Sequence, residues 1–251
     1  MTIEAIQIPT GDGTADGFLA SPDAGGDHPG VLLYADAIGL RPVIERMADQ
    51  LANAGYHVLA PNPFYRNGPA VPLEVPNLMV ARDREALFAR LRPRLAEVTV
   101  PRLIADATAY LDFLATRPDV TPGPIGVVGY CVGGVYGLRT ATAFPDRVAA
   151  LAAFHPGALV TDSPDSPHRR ADGLAAACHF AIPTHDEAMT PEAVRELVEA
   201  LTTAGARFSV EFYPDTVHGF TMADTSVFSP SGLDRHWDRL LALFSNNLGT
   251  P

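Results

Sequence analysis

The sequence predicts an α/β protein, a mostly parallel central sheet with helices on both faces. Three observations carry this expectation. Short apolar runs alternate with amphipathic stretches along the whole chain, the rhythm of strand–helix–strand units. Several runs, such as Gly30–Tyr34, are apolar throughout. The 251 residues are 47% hydrophobic and 19% charged, enough to build a sizeable buried sheet and against disorder. No repeat and no shift in composition marks a boundary, so residues 1–251 are expected to form a single domain.

The elements follow in order. Residues 3–8 and 16–20 form a starting hairpin, turning at Gly11-Asp12-Gly13. Gly30–Tyr34 is a strand. Residues 42–54 are helical and stop at Gly55, a favourable residue just past a helix end. Residues 57–60 form the next strand, and 77–95 and 100–116 are amphipathic helices rich in Arg, Ala and Leu. Residues 125–129 are a strand feeding a helix over 132–144. Strands at 149–154, 179–182 and 208–213 follow, with helices at 191–204 and 232–248. In a parallel sheet, ligands gather at the carboxyl ends of the strands. The chemistry is therefore expected just after Tyr34, Ala60, Gly129, Phe154, Ile182 and Tyr213.

Composition removes several function classes. The net charge of −11 would repel a phosphate backbone, so no nucleic-acid partner is expected. All 18 basic residues are arginine, which excludes Schiff-base chemistry and a P-loop lysine. Met1-Thr2-Ile3-Glu4 lacks a basic head and an apolar core, and no apolar run could span a bilayer. A soluble, cytoplasmic protein without a membrane partner is expected. Two cysteines, Cys131 and Cys178, make neither a disulfide framework nor a cysteine-rich zinc site. No histidine pair has the H-E-x-x-H spacing of a zinc motif, and no metal or other cofactor is expected.

The strongest local signal is Gly129-Tyr130-Cys131-Val132-Gly133-Gly134, between an apolar strand and a helix. This is the nucleophile-elbow pattern of α/β-hydrolases, with cysteine in the nucleophile slot. A sharp strand-to-helix turn needs glycines where backbones approach closely, and the helix N-terminus favours a thiolate or an oxyanion. In such folds an acid and then a histidine follow the nucleophile in the chain. Asp186 in Pro183-Thr184-His185-Asp186-Glu187 and His218 in Val217-His218-Gly219-Phe220 fit that order. Glu187 is adjacent to Asp186, and His185-Asp186-Glu187 could also be a solvated approach to a helix. The backbone N–H groups of Val132 and Ala37 are the oxyanion-hole candidates by position. Cys178 reads as a small buried hydrophobe. His155 could line the pocket wall or only end its strand.

An acidic loop after an early strand, then G-x-C-x-G-G, then Asp, then His-Gly-Phe resembles the dienelactone hydrolase family, over about Gly30 to Phe244. The resemblance implies an α/β-hydrolase fold, a Cys131–His218–Asp186 triad, and cofactor-free cleavage of a small-molecule ester or lactone. It also implies that the acid after the first core strand contacts the resting thiol and takes its proton when substrate binds. That acid is Asp36 here, where the family has Glu. Family members bind a substrate carboxylate through two arginines. Arg82, Arg84 and Arg66 are candidates for the first. The second belongs four residues after the histidine, where this chain has Met222, so one arm of the clamp is missing and substrate choice is expected to differ. The alternative is a non-catalytic binding or thiol redox-sensing module on the same fold. A monomer or weak homodimer is expected.

Overall fold

The computed structural model describes residues 2–71 and 73–249. Among these residues eight strands form one sheet: β1 (Thr2–Thr10), β2 (Gly13–Ser21), β3 (Gly30–Tyr34), β4 (His57–Pro61), β5 (Ile125–Tyr130), β6 (Val148–Phe154), β7 (Ala177–His185) and β8 (Arg207–Val217). Their spatial order is β1-β2-β4-β3-β5-β6-β7-β8. The β1/β2 hairpin is antiparallel and joins β4 in antiparallel register, while β4 through β8 run parallel. The chain steps from β3 outward to β4, then returns to place β5 on the other side of β3. That reversal opens a crevice at the carboxyl ends of β3 and β5, where parallel sheets bind ligands.

Six α-helices among the described residues accompany the sheet: α1 (Pro42–Asn53), α2 (Ala81–Glu97), α3 (Val100–Ala115), α4 (Val132–Ala143), α5 (Pro191–Thr203) and α6 (Pro230–Leu248). Side chains alternate between the faces of a strand, and the central strands supply both cores. Leu32, Tyr34, Val127, Leu151 and Ala153 pack with α3, α4 and α5 on one face. Val31, Leu33, Val128, Tyr130 and Phe154 pack with α1 and α6 on the other. α2 belongs to neither layer. Its buried Leu87 and Leu91 form a separate small cluster with Ala37 and Ile38, beside the crevice. No helix among the described residues is long and apolar enough to cross a membrane.

Three boundaries differ from the sequence reading for physical reasons. Residues 77–80 form a turn, with Val80 N–H donating to Asn77 O (3.0 Å), so α2 starts at Ala81. That helix carries Pro93 in its interior and continues to Glu97, two residues past the expected end at 95. Asp215 adopts φ 53°, which kinks β8 and lets it continue past Pro214 to pair Val217 with His185.

Candidate active site

Strand register assembles the crevice. Tyr34 pairs with Gly129, which brings the residues after β3 beside the turn after β5. Tyr130 pairs with Phe154, placing Cys131 beside His155. His185 pairs with Val217, so the next residues, Asp186 and His218, are neighbours although 32 positions apart.

Cys131 sits at φ 55°, ψ −121° and forms the N-cap of α4. A non-glycine residue held there stores on the order of 1–3 kcal/mol of strain. The surroundings fix it. Cys131 N–H donates to Phe154 O (3.2 Å), and its carbonyl accepts from Gly134 N–H (3.0 Å) and Gly157 N–H (2.8 Å). The flanking glycines are required by contact. A Cβ on Gly129 would lie 2.0 Å from Gly133 O, and one on Gly133 would lie 2.4 Å from Tyr34 O. Val132 and Ala37 N–H have no hydrogen-bond partner among the described residues, leaving two free backbone donors near the sulfur.

His218 Nδ1 and Asp186 Oδ2 are 2.8 Å apart. The Asp186 side chain is 2% exposed, and its Oδ1 accepts from Ala188 N–H (2.9 Å). Glu187, the adjacent acid, is exposed. Burial alone would lower the His218 pKa, but the Cys131 sulfur and the Asp186 carboxylate outweigh it and hold the imidazole well above its ordinary value. Nδ1 is committed to Asp186, which leaves Nε2 for the sulfur. His155 ends β6 at φ 36°, and its ring meets the His218 ring edge-on at 5.3 Å. Its Nε2 shares a 2.8 Å hydrogen bond with Thr221 Oγ1, and burial holds its pKa well below the usual histidine value, so it stays neutral. Cys178 is buried away from this cluster, its thiol pushed up to about 12 by desolvation.

Cys131, His155, Asp186 and His218 line one cavity of about 520 Å³. Its walls are mainly apolar, with Ile38, Leu78, Met79, Phe88, Met222 and Val227 contributing. Of the three arginine candidates, Arg84 lines this cavity. Arg82 does not, lying exposed on α2. Arg66 is also a correction. It makes two hydrogen bonds to buried Asp106 (2.7 and 2.9 Å) and one to Asp12 (2.8 Å), tying the loop after β4 to α3 and the first hairpin.

Asp36 lines the cavity, but its carboxylate is occupied. Oδ1 accepts from Ile38 N–H (2.9 Å), Gly39 N–H (3.3 Å) and Arg41 Nη1 (2.8 Å), and Oδ2 accepts from Arg41 Nη2 (2.9 Å). Arg41, 4% exposed, also binds Asp224 through Nε (2.7 Å). The sequence reading did not include Arg41. An arginine just before a helix proline carries no signal of a partner 183 positions away.

An eight-stranded sheet of this order, with a strained strand-to-helix turn at a cysteine and an Asp–His pair at its carboxyl edge, is the α/β-hydrolase fold. The chain belongs to the dienelactone hydrolase family, whose family model matches residues 15–248. It is 30% identical over 240 residues to a carboxymethylenebutenolidase from Rhodococcus opacus, covering 91% of this chain and 85% of that one. It is 26% identical over 230 residues to a carboxymethylenebutenolidase from Pseudomonas sp. strain P51, covering 92% and 90%. A crystal structure from Klebsiella pneumoniae subsp. pneumoniae superposes with a TM-score of 0.83 at 22% identity, covering 98% of this chain and 99% of that one. The chain is accordingly a hydrolase of the lactone and ester type.

Proposed function

We propose that this protein, acting as a single domain, cleaves a small ester or lactone through Cys131, with His218 as acid–base and Asp186 orienting it. The observation that carries the reading is the 2.8 Å Asp186–His218 contact beside a cysteine at φ 55°, all lining one cavity. Asp186 fixes the imidazole tautomer and supports its positive charge. The Cys131 sulfur attacks the carbonyl carbon, and the C=O electron pair moves to oxygen. The N–H groups of Val132 and Ala37 receive that oxyanion, assisted by the N-terminus of α4. Collapse breaks the C–O bond, and the leaving oxygen takes the proton held by His218. Water then attacks the thioester and gives a proton to His218, and the carboxylic acid leaves as the thiolate re-forms.

The apolar walls and Arg84, the one arginine lining the cavity among the described residues, favour a substrate with an apolar acyl or alkyl group and little anionic character. The test is Cys131→Ala against a panel of aryl esters and enol lactones. Expected is a loss of at least about 10³-fold in kcat, with an acyl-thioester mass adduct on the native protein only. Turnover by Cys131→Ala at the native rate refutes the assignment.

A further inference from the structure

Arg94 has an unusual set of partners. It sits near the end of α2, and its Nη2 donates to two successive carbonyls, Ala37 O and Ile38 O (2.9 Å to the latter). Its guanidinium lies over the Phe64 ring, 4.8 Å from the centroid. Nε is buried without a hydrogen bond, and no carboxylate pairs with the group among the described residues. Burial lowers its pKa, opposed by the charge of Asp36. A half-buried cation with no directly paired carboxylate is costly, and what it holds in return is one loop.

That loop is the segment after β3. The Ala37–Ile38 peptide has its C=O held by Arg94 and its N–H held by Asp36 Oδ1. The Ile38–Gly39 peptide has its C=O held by Arg94 and its N–H held by Asp36. Gly39 O accepts from Arg41 Nη1 (3.0 Å). Both peptide planes are thus clamped at both edges, while Ala37 N–H stays unpaired. A second observation points the same way. Ala37 and Ile38 share their apolar cluster with Leu87 and Leu91 of α2, and Val132 packs against it. The cluster therefore touches both residues that carry the free donors.

We propose that Arg94 is a positioning residue for acyl transfer, fixing loop 36–39 from α2 so that Ala37 N–H meets the oxyanion formed at Cys131. This rests on the cysteine-hydrolase reading above. Its signature separates two chemistries of one thiol. Ester turnover passes through an oxyanion, whereas alkylation of Cys131 by iodoacetamide does not. Arg94→Gln is expected to lower kcat on an aryl ester about 10- to 100-fold, the scale of a misplaced or lost donor, with KM changed less than about threefold. The alkylation rate is expected to stay within about twofold of native. Arg94→Lys, able to donate to the same carbonyls, is expected to recover part of kcat, as is Arg94→Ala in tens of millimolar guanidinium. Phe64→Leu, which removes only the supporting ring, is expected to give a smaller loss of the same kind. Native kcat in Arg94→Gln overturns the proposal, as does a parallel fall in turnover and alkylation. If Cys131→Ala turns over the ester at the native rate, the underlying hydrolase reading fails instead, and the two failures are distinguished by that one variant.

Discussion

Replacing Asp36 with alanine distinguishes a structural acid from one that gates the thiol. The carboxylate accepts four hydrogen bonds, two from backbone N–H groups and two from Arg41, which is 4% exposed. Removing one partner of a buried ion pair costs about 3–5 kcal/mol, because the other charge is left without compensation. Asp224 remains beside Arg41, with its side chain 29% exposed, so the lower end applies. For a chain of this size about 3 kcal/mol corresponds to a fall in Tm of roughly 6–12 °C. Asp36→Ala/Arg41→Met removes both charges and is expected to lose less than the sum of the single variants, with a coupling of about 1–3 kcal/mol. Thermal unfolding of the four proteins measures both quantities. A Tm for Asp36→Ala within about 2 °C of native refutes the clamp. A pH profile of Cys131 alkylation that changes while Tm does not would assign Asp36 to the thiol instead.

Two further outcomes follow from the same geometry. His236 is fully buried, accepts or shares a 2.9 Å hydrogen bond with Tyr130 OH through Nε2, and is held by desolvation at a pKa of about 3. The unfolded chain takes this proton near pH 6.5 while the folded chain does not, so stability falls as pH drops below about 6.5, by up to about 1.4 kcal/mol per pH unit. Urea unfolding at pH 7 and pH 5 should show His236→Gln losing about 2 kcal/mol less than native across that interval; equal losses would count against it. Gly133→Ala forces a methyl group to 2.4 Å from the Tyr34 carbonyl, a backbone atom that cannot swing aside. It is expected to cost about 3 kcal/mol or more, near or above the upper range for overpacking, and to abolish ester turnover. A folded, active variant would show that β3 and the turn after β5 can separate freely.

How much of this was legible in the sequence depends on distance along the chain. The elbow was legible because its strand, glycines, cysteine and helix are contiguous, and the contacts that require Gly129 and Gly133 arise within that turn and its neighbouring strand. His218 was legible as a histidine after a strand. Asp186 was legible only as an acid after a strand, since with Glu187 beside it the segment could also be a solvated approach to a helix. The pairing of His185 with Val217 decides it, bringing Asp186 to His218 while Glu187 stays exposed. Arg66 misled because a cation after a core strand looks the same whether it faces a ligand or Asp106. Arg94 was hidden for the opposite reason. In a helix carrying Arg82, Arg84, Arg90, Arg92 and Arg94, nothing local says which one turns inward.

The placement of these arginines also bears on what the cavity accepts. Four residues past His218 the chain offers Met222, 1% exposed and part of the cavity wall. A guanidinium does lie close by, but Arg41 spends its donors on Asp36, Asp224 and Gly39 O. Arg94 is likewise committed to backbone carbonyls. A substrate carboxylate would therefore meet Arg84 alone, whose Nη1 already donates to Leu78 O (2.9 Å), while Asp36, Asp186 and Glu187 line the same space. One partly engaged arginine, beside Glu187 and two carboxylates already paired with Arg41 and His218, gives little net attraction for an anion, whereas the apolar wall of Ile38, Phe88, Met222 and Val227 gains from each methylene it covers, by about 0.8 kcal/mol. This balance is the physical ground for the proposal of an uncharged ester or lactone with an apolar substituent rather than a carboxylate-bearing one.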